Sequence, residues 1–184
     1  TLEKIWKDWT AFASYAFNKS HATCYSWVAY QTAYLKANFP AQYMAAVMSR
    51  ALGNIADLSK FLAETKAMGI VCKGPDVNES FRKFSVSHTG DVRFGLAGIK
   101  GLGDNAVQSI IEEREKNGVF KDLYHFFERV NLNACNRKNV ECLVLAGAFD
   151  SFENFTREQF FAKNDSGYTF IAVSYTHLRA HETR

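Results

Sequence analysis

The run Gly98-Ile99-Lys100-Gly101-Leu102-Gly103 has the residue types of a loop that meets a phosphate. Its glycines carry no Cβ, so the backbone can turn sharply and lie close to a ligand. Amides at the start of a following helix then face outward as anion donors, and the helix dipole has the matching sign. Ile99 and Leu102 are placed to anchor the turn from beneath, and Lys100 to add a charge for a phosphate oxygen. Such contacts hold nucleic acid without reading its sequence. The order apolar, any residue, Gly, apolar, Gly, then helix is a helix–hairpin–helix pattern, and it points to duplex DNA. The same glycines could also serve as a plain connection into a helix. A dinucleotide fingerprint is excluded, because it needs a preceding parallel strand and an acidic residue about 20 positions on in a second strand. Asp122 stands near that spacing but opens a helix.

A second run, Phe17-Asn18-Lys19-Ser20-His21-Ala22, places an amide, a lysine, a hydroxyl and an imidazole at a helix entrance. That group suits triphosphate oxygens or a base edge, with Tyr15, Phe17 and Tyr25 as stacking faces. Taken alone, a lysine and a capping serine at a helix start are ordinary, and capping is the competing reading.

The elements around these runs are mainly helical. Ser20 can cap a helix through Tyr25, Val28, Ala29, Thr32, Ala33 and Leu35, whose spacing defines one apolar face. Pro40 restarts the chain as a short helix to Arg50, and Asn54 caps a third that stops at Gly69. The texture changes at Gly74-Pro75-Asp76. Phe84 and Val86, a His88-Thr89-Gly90-Asp91 turn, then Val92 and Phe94 read as a small β-hairpin. Beyond Gly103, Asp104 is placed to cap a helix with Val107, Ile110 and Ile111 inward and Glu112, Glu113, Arg114, Glu115 and Lys116 on a solvated face. A short helix follows over Asp122 to Arg129. Asn136 caps another through Val140, Leu143 and Val144 to Gly147, and this segment to Phe149 reads as a degenerate second copy of the hairpin. With no second G-x-G, its role is structural.

Hydrophobic residues make up 47% and charged residues 22% of 184, the balance of a soluble globular protein, and the net charge of +3 permits a polyanionic partner without demanding one. No apolar run approaches the roughly 20 residues of a membrane helix, so no membrane partner and a cytoplasmic location are expected. Cys24, Cys72, Cys135 and Cys142 form no C-x-x-C pair and are read as buried free thiols rather than a metal site. The chain opens at Thr1 inside a helix-like segment. Its last residues, 173–184, which include His177 and His181, have no apolar period and resemble translated adapter sequence, so they are set apart.

Taken together, the motifs resemble one family. Phe12 to Ala37, Pro40 to Ser49, Met68-Gly69-Ile70, Pro75 to Ser80, Arg93 to Gly103 and Leu145 to Asp150 match, in the same order, the C-family replicative polymerases of bacteria, the DNA polymerase III α subunits. The resemblance covers nearly all of residues 1–171. It implies a mainly α fold with a small β-hairpin: the end of the fingers at 1–72, a connection at 73–92, a tandem helix–hairpin–helix module at 93–150, and a linker from 151 to 172. It implies contacts of Asn18, Lys19, Ser20, His21 and Tyr25 with the incoming deoxynucleotide or template. Gly98, Ile99, Lys100, Gly101, Leu102 and Gly103 would bind duplex primer–template. The family's catalytic carboxylates and their Mg²⁺ lie in a palm domain, and its paired Asp-x-Asp is not in this sequence. No catalytic residue, metal or cofactor is therefore expected here. Sliding clamp and other replisome subunits would meet parts of the parent outside this chain. Two alternatives stay open: a stand-alone DNA-binding or repair accessory protein using the same hairpin, and a helical protein-binding scaffold.

Overall fold

The computed structural model describes residues 1–15, 18–152, 156–163 and 169. Phe17, the side chain of Tyr15, and the terminal segment 173–184 lie outside the described residues.

Eight helices and a three-stranded sheet are described: α1 Leu2–Tyr15, α2 Lys19–Asn38, α3 Pro40–Arg50, α4 Ile55–Ala67, α5 Asp104–Asn117, α6 Leu123–Arg129, α7 Arg137–Ala146 and α8 Arg157–Phe161, with β1 Cys72–Lys73, β2 Ser85–Val86 and β3 Val92–Arg93. The fold is thus mainly α, as expected. The β2–β3 hairpin is antiparallel with Val86 opposite Val92, as its alternation predicts. The strand β1, which sequence reading did not find, adds to the far side of β3 in parallel, giving the order β1-β3-β2. An ion pair from Lys73 Nζ to Asp91 Oδ2 at 2.8 Å ties β1 to the hairpin turn and holds the Asp91 carboxyl below its ordinary range.

Two apolar clusters organise the chain. In the first, Ala41, Met44, Ala45 and Met48 repeat at helical spacing along α3 and pack with Leu58 of α4, with Phe84 just before β2 and with Val92 of β3. In the second, α5, α6 and α7 close over Leu96 and Ile99, and Phe126 is its centre. The Phe126 ring meets Phe120 at 4.9 Å and Phe149 at 5.0 Å, both edge-on, the geometry that ring quadrupoles favour. Burying a ring of this size contributes about 1.5–3 kcal/mol, so the aromatic group dominates the unit. The connecting segment is tied down by its polar side chains. Asn78 donates from Nδ2 to Phe120 O and accepts at Oδ1 from Phe120 N–H, both at 2.8 Å.

Several local readings need correction. The N-cap of α2 is Asn18, not Ser20: the Asn18 side chain accepts from His21 N–H at 3.0 Å, while Ser20 Oγ donates to it at 2.7 Å. The apolar face read along α2 has no buried residue; Tyr25, Val28 and Leu35 are exposed, because no described element lies over it. Gly103, not Asp104, is the N-cap of α5. Arg114 is buried rather than solvated: Nη1 donates to Val77 O and Ser80 O, both at 2.9 Å, and the guanidinium lies 5.4 Å from the Phe81 ring centre. Glu113 is half-buried and paired with Arg129 at 2.9 Å. All four cysteines are free, but only Cys135 is buried; Cys142 is half-buried, and Cys24 and Cys72 are exposed.

Candidate nucleic-acid interface

The hairpin begins where a 3-10 turn, Leu96–Gly98, sets Leu96 fully into the second cluster. Ile99 follows it into the core at 7% exposure, and Leu102 packs half-buried against the same cluster. These are the anchors expected from the sequence. Between them the chain reverses: Leu102 N–H donates to Ile99 O at 3.2 Å, and Gly101 has φ of +85°. Positive φ at the third residue of the turn alone is the type II arrangement, which reserves that place for glycine. A Cβ on Gly101 would also stand 3.1 Å from Cys142 Sγ. Gly98 is required for a different reason, since a Cβ there would meet the Phe94 ring at 2.6 Å. Gly103 has φ of −76°, and a Cβ there would find nothing nearer than Asn139 Oδ1 at 3.9 Å. Nothing within the described residues requires a glycine at 103.

Like α3, which follows Phe39 and has Pro40 at its start, the helix after the hairpin begins without a side-chain cap. Helices α2, α4, α6 and α7 all begin under a side-chain cap, from Asn18, Asn54, Asp122 and Asn136 respectively. Helix α5 has none, since glycine offers no side chain. Among the described residues, the N–H groups of Lys100, Gly101, Asp104 and Asn105 have no acceptor. Lys100 is exposed beside them. Four amides without an acceptor, a cation and the positive end of a 14-residue helix could together receive an anionic oxygen.

A second turn shows what the same backbone looks like when its donors are occupied. Between α6 and α7, Leu132-Asn133-Ala134-Cys135-Asn136 repeats the apolar positions of Ile99 to Gly103, with Ala134 and Asn136 in place of two glycines. Here Asn131 Oδ1 accepts from Asn133 N–H at 2.9 Å and Ala134 N–H at 3.3 Å, and Asn136 Oδ1 accepts from Asn139 N–H at 3.1 Å. The amides left open at Lys100 and Gly101 are thus closed at Asn133 and Ala134 by the Asn131 carboxamide. The repeat is therefore displaced from the expected Asn136–Phe149: Gly147 does not form a hairpin but ends α7 in the left-handed conformation at φ of +82°.

At the other site, Asn18, Ser20, His21 and Tyr25 come together at the entrance of α2, with the His21 and Tyr25 rings 4.4 Å apart and tilted. These four and Lys19 are all exposed. Sequence reading missed Asn131 and Asn139. Asn131 was findable as a turn-former next to the Asn133-Ala134 pair, but nothing in the sequence links Asn139 to a residue 36 positions earlier.

This hairpin-and-helix geometry defines a known class, and the chain belongs to it: the family model for the helix-hairpin-helix motif matches residues 69–160. The chain is also similar to curated proteins named DNA polymerase III subunit alpha. It is 44% identical to that of Saccharopolyspora erythraea over 150 residues, 82% of this chain and 12% of the relative. For Treponema pallidum the figures are 43% over 170 residues, 92% and 14%. For Borreliella burgdorferi they are 47% over 142 residues, 77% and 12%. The chain thus spans only about an eighth of these relatives' length. No helix among the described residues is long and apolar enough to cross a membrane.

Proposed function

We propose that this chain is a section of a replicative DNA polymerase α subunit, and that its hairpin holds duplex primer–template through the phosphate backbone. The observation that carries the reading is the uncapped start of α5, with the Lys100, Gly101, Asp104 and Asn105 amides open, while the counterparts of the first two, Asn133 and Ala134, are closed by Asn131. A phosphate oxygen supplies the missing acceptor, and Gly103 leaves room for it. Contacts of this type are independent of base sequence, as a replicative enzyme requires.

Residues 1–72 then form the end of the fingers, 73–92 the connection and 93–150 the tandem module. At the entrance of α2, Lys19 and His21 face the incoming deoxynucleotide or template, oriented by the Asn18–Ser20 cap and the Tyr25 ring. Among the described residues no group of three His, Cys, Asp or Glu side chains could hold a metal ion. The residues present do not fit the Mg²⁺ of polymerase chemistry, which needs carboxylates on two ions. Catalysis belongs to the parent, in the cytoplasm, where sliding clamp and replisome partners meet other regions.

The test is fluorescence anisotropy of the chain on two unrelated duplexes across a salt series, with circular dichroism as folding control. Each phosphate contact contributes about 0.9 to the salt slope. Lys100→Ala is expected to weaken both duplexes equally and to flatten the slope by about 0.9. Absence of salt-dependent binding, or an unchanged slope, overturns the reading and favours a scaffold.

A further inference from the structure

We propose that Arg82, in the segment before the sheet hairpin, is a second phosphate-contacting cation of the interface; this rests on the reading of the hairpin as a DNA site. Asp104 is the first residue of α5, so a carboxylate stands among the open amides where an incoming phosphate would be repelled. Arg82 Nη2 donates to Asp104 Oδ2 at 2.9 Å. A guanidinium has five N–H donors, and this pair uses one, leaving the remainder for a phosphate at the same helix start.

The backbone of Arg82 is held independently of that pair. Phe81 O accepts from Leu96 N–H at 2.9 Å, and Arg82 O accepts from Ala97 N–H at 3.1 Å, so the segment runs along the lead-in to the hairpin. The approach is so close that a Cβ on Gly95 would lie 2.8 Å from Arg82 O and 2.5 Å from the Lys83 carbonyl carbon. The ion pair itself is exposed, with Arg82 and Asp104 side chains at 47% and 66% exposure. Exposed pairs of this kind contribute little to stability, so the fold does not depend on it. What the arrangement achieves is local: it offsets the Asp104 charge and sets a fork of donors at the start of α5.

The experiment uses the full chain and the same salt series, with Arg82→Ala, Arg82→Lys, Lys100→Ala and Arg82→Ala/Asp104→Asn. Arg82→Ala is expected to flatten the slope by about 0.9, as Lys100→Ala does, and Arg82→Lys to retain it. The slope is expected to stay flattened in the double variant, because removing the carboxylate cannot replace a lost phosphate contact. The proposal fails if Arg82→Ala keeps the parent slope while Lys100→Ala flattens it. It also fails if Asp104→Asn restores the parent slope and affinity, since Arg82 is then only a counter-ion. If neither Arg82→Ala nor Lys100→Ala moves the slope, the DNA reading itself falls.

Discussion

The backbone N–H of Gly103 donates to Oδ1 of Asn139 at 3.2 Å, and Nδ2 of the same side chain donates to Ala134 O at 3.0 Å. One carboxamide, 7% exposed, thus joins the hairpin to the second turn. Removing it takes the partner from the Gly103 amide and from the Ala134 carbonyl, breaking two part-buried hydrogen bonds. Asn139→Ala is expected to cost about 1–3 kcal/mol in urea denaturation. Amide exchange at Gly103, followed by NMR, is expected to quicken more than at Leu58, which lies in the other cluster. Equal protection in variant and parent would remove Asn139 from this role.

Gly101 carries two separate constraints, its positive φ and its contact with Cys142 Sγ. Gly101→Ala is expected to lose about 1–2 kcal/mol from the dihedral alone. Adding Cys142→Ala relieves only the contact, so stability is expected to recover in part. Full recovery would show that the dihedral costs nothing, and no recovery that the thiol yields freely. Gly101→Val, β-branched at the surface proposed to approach phosphate, is expected to weaken DNA binding more than Lys100→Ala.

Arg114 is a charged group whose pKa burial lowers, held by the carbonyls of Val77 and Ser80. Arg114→Met fills similar volume but leaves both carbonyls short of a donor, and is expected to cost about 2–3 kcal/mol. Proteolysis of the native variant is expected to begin within residues 76–82, where the parent is protected. A melting temperature equal to the parent's would count against this.

The four thiols should separate by reactivity. Burial pushes Cys135 up to about 12, so the thiolate fraction at pH 8 is about one in ten thousand and the side chain is also inaccessible. Cys24 is exposed, while partial burial raises Cys72. Alkylation followed by mass spectrometry is expected to label Cys24 first, Cys72 more slowly and Cys135 only after unfolding. Early labelling of Cys135 would contradict the packing around it.

Primer extension with Mg²⁺ and all four deoxynucleotides is expected to yield no product with this chain alone. In a full-length parent, Lys19→Ala or His21→Ala is expected to impair nucleotide use more than duplex binding. Template-dependent extension by the clean chain would overturn its reading as a section without the catalytic carboxylates, and unchanged incorporation constants in the parent would return Lys19 and His21 to capping.

The caps Asn54 and Asn136 were readable because each precedes an apolar period, whereas at α2 the adjacent Ser20 masked Asn18. The hairpin was readable because Gly101 and Gly103 flank Leu102 ahead of an Ile-rich helix. Strand β1 was not, since two residues hold no alternation. Burial of Arg114 was hidden by residue type, although it falls seven positions after Val107 on the inward stripe. The reverse occurred on α2, where apolar spacing suggested a packed face that no described residue covers. Periodicity reports which side a helix would bury, and only tertiary contacts decide whether it does.

Phe94 packs against both apolar clusters, and Gly98 rests on its ring. A Cβ on Gly98 would also come within 3.3 Å of Leu52, in the turn between α3 and α4. The hairpin is therefore seated on side chains that also serve the neighbouring cluster. Calorimetry should register one cooperative melting event. If the hairpin holds DNA as proposed, a substitution that shifts Leu52 is expected to change affinity from a distance, by altering how the hairpin is presented.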